Sequence, residues 1–145
     1  LQGAAVLWSK SVTDNSAFSI ATAFDFQGDG ETELVFQDEN TLYVLDGSTG
    51  AELVTQSCFT SSSNNNSLIL NRPIVIDVDD DNQAEIVCGC GEDATTVGRL
   101  NGTIKAFGAS GEAWLTARKI WNQSSFFNVN IKLYQENKKH DYKHI

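Results

Sequence analysis

The sequence contains no methionine and only one proline, and nowhere do eighteen apolar residues follow one another. The last absence excludes a membrane-spanning helix. No stretch of eleven or more residues carries an apolar stripe at helical spacing with capping residues at its ends, so helices are not expected to build the fold. There are two histidines, His140 and His144, both in the terminal stretch, and no Gly-x-Ser-x-Gly segment. The usual nucleophile–base pairings therefore have no candidates in the body of the chain. The histidines are spaced i, i+4 without an H-E-x-x-H context, so they are expected in solvent. Basic residues are also scarce: ten against nineteen acids, for a formal charge of −9. A net-acidic body repels phosphate backbones, so nucleic acid is not an expected partner.

Cysteines number three: Cys58, Cys88 and Cys90. With no second Cys or His pair nearby, Cys88-x-Cys90 is not a zinc signature. Two residues apart in a strand, Cys88 and Cys90 point to one face and bridge each other only with strain. One of them can pair with Cys58 and leave an odd thiol. The default expectation is three small, buried, apolar side chains. The start, Leu1 to Trp8, has neither an initiator Met nor a basic n-region and does not read as an intact signal peptide. The expectation is that processing or truncation has removed the true start.

What the chain does have is a succession of short apolar runs punctuated by turn residues. Phe18–Phe24, Glu33–Phe36, Thr41–Leu45 and Ala51–Val54 are rich in β-branched and aromatic types. Between them lie Gly28-Asp29-Gly30, Asp38-Glu39-Asn40 and Asp46 to Gly50. This pattern predicts four strands with tight connections, and an all-β fold. It also repeats. Ala23 to Val35 aligns with Val75 to Val87 at an offset of 52 residues: apolar, apolar, Asp, apolar, an acidic loop, then Glu-Leu/Ile-Val. Asn40 to Leu53 resembles Gly102 to Trp114, with the extra length between copies absorbed by an insertion at Gly89–Gly98. A tandem unit of about 50 to 60 residues with four strands each matches a propeller blade. The predicted architecture is a partial β-propeller of about two four-stranded antiparallel blades plus flanking strands. Two blades cannot close a ring, so the chain is expected to be a fragment or to complete its ring with other chains.

The expected organisation has five parts. Residues 1–17 end a preceding blade, with Val6 to Lys10 as its last strand. Residues 18–68 form a blade with the first acidic loop and a polar linker, Ser57 to Leu68, expected to be flexible. Residues 69–118 form a blade with the second acidic loop. Residues 119–133 start a following segment. Residues 134–145 form a basic, polar tail expected to be disordered.

The two acidic loops carry the chemistry. Side-chain oxygens fall at Asp25, Gln27, Asp29 and Glu33 in the first, and at Asp77, Asp79, Asp81 and Glu85 in the second. Alternate loop positions let a short turn converge several oxygens on one point, and calcium takes six to eight oxygens in an irregular shell. The backbone carbonyls of Glu31 and Gln83, at loop position seven, are natural further contributors. Gly30 supplies positive φ at the bend, and Asn82 is of a type that tolerates it. An EF-hand is excluded, because position twelve is Phe36 or Cys88 instead of Glu and the flanks are strands. A solvated acidic turn without an ion is the alternative for either loop alone. Two such loops at the same place in a repeat favour Ca2+, since uncompensated carboxylates would repel one another and an ion would stabilise the blade.

Asp25-Phe-Gln-Gly-Asp-Gly-Glu-Thr-Glu33-Leu-Val and Asp77-Val-Asp-Asp-Asp-Asn-Gln-Ala-Glu85-Ile-Val resemble the calcium loops of FG-GAP/VCBS repeats. These are the blades of integrin α-subunit propellers and of many bacterial surface proteins. The resemblance covers roughly residues 18–115 and implies calcium binding through loop positions one, three, five, seven and nine. Gln27 departs from the usual Asp or Asn, and Asn82 from Gly; the first departure implies a weaker site. Arg118 to Gln123 also resembles a stretch that follows such blades. The family implies a secreted or cell-surface location and a role in adhesion or in recognition of a glycan or protein. Trp114, Trp121, Phe126 and Phe127 are aromatic candidates for a sugar platform, with packing between blades as the plainer expectation. A different class is open: Leu42 to Leu53 also resembles the repeat of PQQ-type quinoprotein propellers, and calcium-containing propeller polysaccharide lyases exist. No catalytic or cofactor-binding residue is assigned, and a non-enzyme is expected.

Overall fold

The computed structural model describes residues 3–14, 19–59, 72–91 and 102–120; within them the chain is all-β, with no helix. Accordingly, among the described residues no helix is long and apolar enough to cross a membrane. The strands are β1 (Thr22–Phe24), β2 (Glu33–Gln37), β3 (Thr41–Asp46), β4 (Glu52–Ser57), β5 (Ile74–Ile76), β6 (Glu85–Gly91) and β7 (Gly102–Phe107). They form two open antiparallel sheets in sequence order, β1-β2-β3-β4 and β5-β6-β7. Alternation explains the first: along β2 and β3 the buried positions Val35, Gln37, Leu42 and Val44 sit two apart, so one face of the pleat turns inward.

The 52-residue repeat is visible in the register. Phe24 pairs with Glu33 and Thr22 with Val35 in the first sheet; Ile76 pairs with Glu85 and Ile74 with Val87 in the second. Each acidic stretch is thereby the connection of a β-hairpin. The third strands also correspond, with Leu34 paired to Leu45 and Ile86 to Phe107.

The two sheets share one core. Phe26, Val35, Leu42 and Val44 from the first pack with Val75, Ala84, Ile86 and Cys88 from the second, all nearly inaccessible to solvent. Polar ties join the sheets as well. The Thr22 hydroxyl donates to the Pro73 carbonyl at 2.5 Å, and the Gln37 amide donates to the Gly89 carbonyl at 2.8 Å. Cys58, just past β4, is disulfide-bonded to Cys90 on β6. All three cysteines are buried, but the default expectation of three unbridged apolar side chains is corrected: Cys90 is the partner of Cys58, and Cys88 is the odd thiol, with burial pushing its pKa up to about 11.

Several strand expectations need correction. Of the expected strand Phe18–Phe24, Phe18 lies outside the described residues, and of Ser19–Phe24 only Thr22–Phe24 is strand. The insertion expected at Gly89–Gly98 starts later: Gly89, Cys90 and Gly91 extend β6 by pairing with Ile104, Thr103 and Gly102. The second sheet has three strands among the described residues, not four. After β7 the chain does not turn back as it does at Gly47–Ala51. Residues 113–120 cross the acidic loops, where their peptide groups find partners: Leu115 N–H donates to the Phe26 carbonyl and Asp77 N–H to the Arg118 carbonyl, both at 2.9 Å. Val6 to Lys10 form no strand either. The Trp8 indole N–H donates to the Gly47 carbonyl at 3.0 Å, its ring covers Gly50, and Lys10 pairs with Glu52. Most of the Ser57–Leu68 linker, the 134–145 tail and residues 121–133, with Trp121, Phe126, Phe127, His140 and His144, lie outside the described residues.

Candidate metal centre

Each acidic loop leaves a short strand, turns tightly and re-enters the sheet at a glutamate. The tight turn requires left-handed backbone at two places. In the first loop these are Gly28 (φ 76°) and Gly30 (φ 88°); in the second they are Asp80 (φ 70°) and Asn82 (φ 69°), each 52 residues further on. Asp and Asn are the side-chain-bearing residues that reach this region at least cost. Only the Gly30/Asn82 position is legible from the sequence; the Asp80 strain is hidden in a run of three aspartates.

The hydrogen bonds of the two loops correspond at four places and differ at a fifth, where Asp29 N–H donates to Asp25 but Asp81 N–H donates to Asp79, both at 3.3 Å. The first acid of each accepts from the fourth and sixth backbone N–H groups. Asp25 takes Gly28 at 2.6 Å and Gly30 at 3.0 Å; Asp77 takes Asp80 at 2.8 Å and Asn82 at 3.3 Å. The fifth residue accepts from the seventh: Asp29 from Glu31 N–H at 2.9 Å, and Asp81 from Gln83 N–H at 2.7 Å. The ninth accepts from the second: Glu33 from Phe26 N–H and Glu85 from Val78 N–H, both at 2.9 Å. Asp25, Asp77, Glu33 and Glu85 are thus fixed by backbone donors, while Asp29, Asp79 and Asp81 stand at the exposed rim.

The loops differ in how far their oxygens converge. Carboxylate oxygens of Asp77, Asp79, Asp81 and Glu85 lie within 4.8 Å of one another. Two oxygens on opposite sides of a calcium ion are about 5 Å apart, so this group fits a single ion. Asp25, Asp29 and Glu33 do not form such a group. In their loop the end of the Gln27 side chain lies 2.8 and 3.2 Å from the two oxygens of Glu33; with the amide turned so that its nitrogen faces them it donates to both, taking the place an acid holds in the second loop. Glu31 and Gln83 donate their backbone N–H groups to Asp29 and Asp81, and the Gln83 amide also donates to Asp81 at 3.0 Å.

Burial raises the pKa of Glu33 and of Glu85. The backbone donors Phe26 and Val78 oppose that rise, and the neighbouring aspartates reinforce it. A divalent cation would offset this stored repulsion.

Lys119 was not foreseen from the sequence. Its ammonium pairs with Asp80 and lies 3.8 Å from the Asp77 carboxylate. Its neighbour in the crossing segment, Trp114, is half-buried against Phe26 with ring centroids 4.6 Å apart, so it serves packing instead of an open platform. A second group of potential ligands, the sulfurs of Cys58, Cys88 and Cys90, is buried in the core and already contains the disulfide. Comparison of the chain with protein families, curated proteins and solved structures finds no match.

Proposed function

We propose that this chain is a stretch of a secreted or cell-surface β-propeller of the FG-GAP/VCBS type, whose hairpin loops hold Ca2+ and whose role is adhesion or recognition of a glycan or protein, not catalysis. One observation carries the reading: two hairpin connections, 52 residues apart, fold with left-handed residues at the same two positions and share four carboxylate-to-backbone hydrogen bonds. Supporting it, four carboxylate oxygens gather within 4.8 Å in the second copy, where without a cation they would repel one another. The hard, all-oxygen donor set suits calcium over a soft transition metal, and its irregular shape suits calcium over magnesium. Each sheet then corresponds to one blade, with other blades of the same propeller covering the outer edges.

Thermal unfolding of the full chain in calcium and in chelator tests the metal. Ligand at about a hundred times Kd stabilises by about 2.7 kcal/mol, or roughly 5–10 °C for a domain of this size. An unchanged midpoint would refute calcium binding. A glycan array probed with and without calcium tests recognition; a cleaved glycan would reassign the protein as a lyase.

A further inference from the structure

The two sheets match strand for strand until the fourth. In the first, β4 lies along β3 from Thr41↔Ser57 to Leu45↔Glu52. In the second, Phe107 of β7 holds the place of Leu45, since it pairs with Ile86 as Leu45 pairs with Leu34. Among the described residues no strand takes the other edge of β7, because residues 113–120 leave the sheet to cross the acidic loops. Such an edge presents a row of backbone N–H and C=O groups that a further strand can pair with. The first sheet shows what that position accepts: an antiparallel strand.

A cleft of about 400 Å3 opens beside this edge. Leu42, Val44 and Val54 of the first sheet line it from one side, and Ile86, Phe107 and Trp114 from the other. Val54 is left 39% exposed there. The cleft lies between the two sheets, so a further sheet stacked outside them does not fill it.

The register fixes what an added strand must carry. Phe107, Lys105 and Thr103 pair with Ile86, Cys88 and Cys90, so their side chains share the face of the second sheet that turns toward the first. Lys105 has no ion pair among the described residues. An antiparallel strand along β7 therefore meets an aromatic ring, an unpaired ammonium and a hydroxyl at alternate positions. The complement is an apolar residue, then an acid, then a small polar residue. Directly opposed pairs of this kind give a sheet its preference for one partner, and backbone pairing gives the affinity.

We propose that the free edge of β7 binds an extended peptide by strand addition, with an apolar residue against Phe107 and an acidic residue against Lys105. This rests on the recognition role proposed above and narrows its ligand to protein; the acidic loops play no part in it.

The test is fluorescence anisotropy of the full chain with two labelled peptides, Ser-Leu-Thr-Glu-Val-Thr-Ser and the same peptide with Lys in place of Glu. The Glu peptide is expected to bind about 5-fold more tightly. Lys105→Glu is expected to reverse that order; should it disturb folding, Lys105→Gln is expected to abolish the preference. Val54→Glu places a charge on the cleft wall and is expected to weaken both peptides by about tenfold. Hydrogen exchange locates the site, with the outward amides of β7 slowed only when the Glu peptide is present. Equal binding of the two peptides, or an order that Lys105→Glu leaves unchanged, overturns the proposal. Outward β7 amides already protected without peptide would mean that another part of the chain holds the edge, and would overturn it too. Binding of neither peptide overturns strand addition alone, since the calcium and glycan experiments decide the wider reading separately.

Discussion

Asn82 repeats the backbone of Gly30 across the 52-residue offset, with φ 69° against 88°. Asparagine reaches the left-handed region at modest cost, and a β-branched residue does not. Asn82→Gly is therefore expected to change stability by less than about 0.5 kcal/mol, whereas Asn82→Val should cost about 1–2 kcal/mol. Urea midpoints in chelator, with unchanged m-values, check both. A well-tolerated valine would show that the bend is not what shapes the loop.

The two loops should also rank in affinity. Four carboxylates converge in the second, while in the first Gln27 brings an amide to the corresponding place. Each charge removed from a cation shell weakens binding, so the second loop is expected to bind calcium more tightly by about tenfold. Titration of Asp81→Ala should show loss of the tighter site and Asp29→Ala loss of the weaker. The reverse order would mean that backbone carbonyls, and not carboxylates, set affinity here.

How much of this is legible in the sequence follows from the range over which each feature is encoded. The hairpins, their acidic connections and the all-β class depend on alternation and turn residues within a dozen positions, and these can be read directly. Glu33 and Glu85 could be placed as closing residues because each stands at the start of an apolar run. The crossing of residues 113–120 is not legible, since Leu115 and Arg118 are held by carbonyl and N–H groups of Phe26 and Asp77, which carry no side-chain signature. That the second sheet has no fourth strand among the described residues is the same fact seen from the other side. Cys58 and Cys90 are alike in this: their pairing depends on β6 running on through Gly91, and glycine is a weak strand former that takes its register from β7. Asp38 was readable as a turn residue but not as a buried anchor, because its donors come from Thr13 as well as from its own turn.

That anchor gives a pH prediction. Asp38 is fully buried, and its carboxylate accepts from Asn40 N–H (2.8 Å), Thr41 N–H (2.7 Å), Thr13 N–H (3.0 Å) and the Tyr43 hydroxyl (3.1 Å). Burial alone would raise its pKa; these donors outweigh it and hold the pKa below the usual 3.8. A carboxyl with a lowered folded-state pKa stabilises fully above its unfolded value and loses that contribution as pH falls through the folded one. The wild type should therefore lose stability more steeply than Asp38→Asn below about pH 4, while at pH 7 the variant is less stable by about 2–3 kcal/mol. Urea unfolding from pH 7 to pH 3 reads both effects. Glu33 and Glu85 titrate in both proteins and cancel from the comparison. Parallel curves would mean that Asp38 does not carry the acid limb.

The sulfur cluster separates two roles that the sequence left undivided. The Cys58–Cys90 bridge joins one sheet to the other across a separation of 32 residues. Closing a loop of that length restricts the unfolded chain by an amount worth about 3–4 kcal/mol. Cys58→Ala should lower stability by about that much, with the loss matched by adding reductant to the wild type and not deepened by reductant in the variant. Cys88 lies 3.8 Å from the Cys58 sulfur and 3.7 Å from that of Cys90, yet burial pushes its pKa up to about 11 and keeps it a thiol. The thiolate is the reactive form, so folded protein at pH 8 should react with iodoacetamide far more slowly than an exposed cysteine does. Unfolding in denaturant without reductant should release one reactive thiol per chain, at Cys88 by peptide mapping. Label appearing on Cys90 instead, with Cys58 joined to Cys88, would show that the three sulfurs exchange partners and that the link between the sheets is not unique.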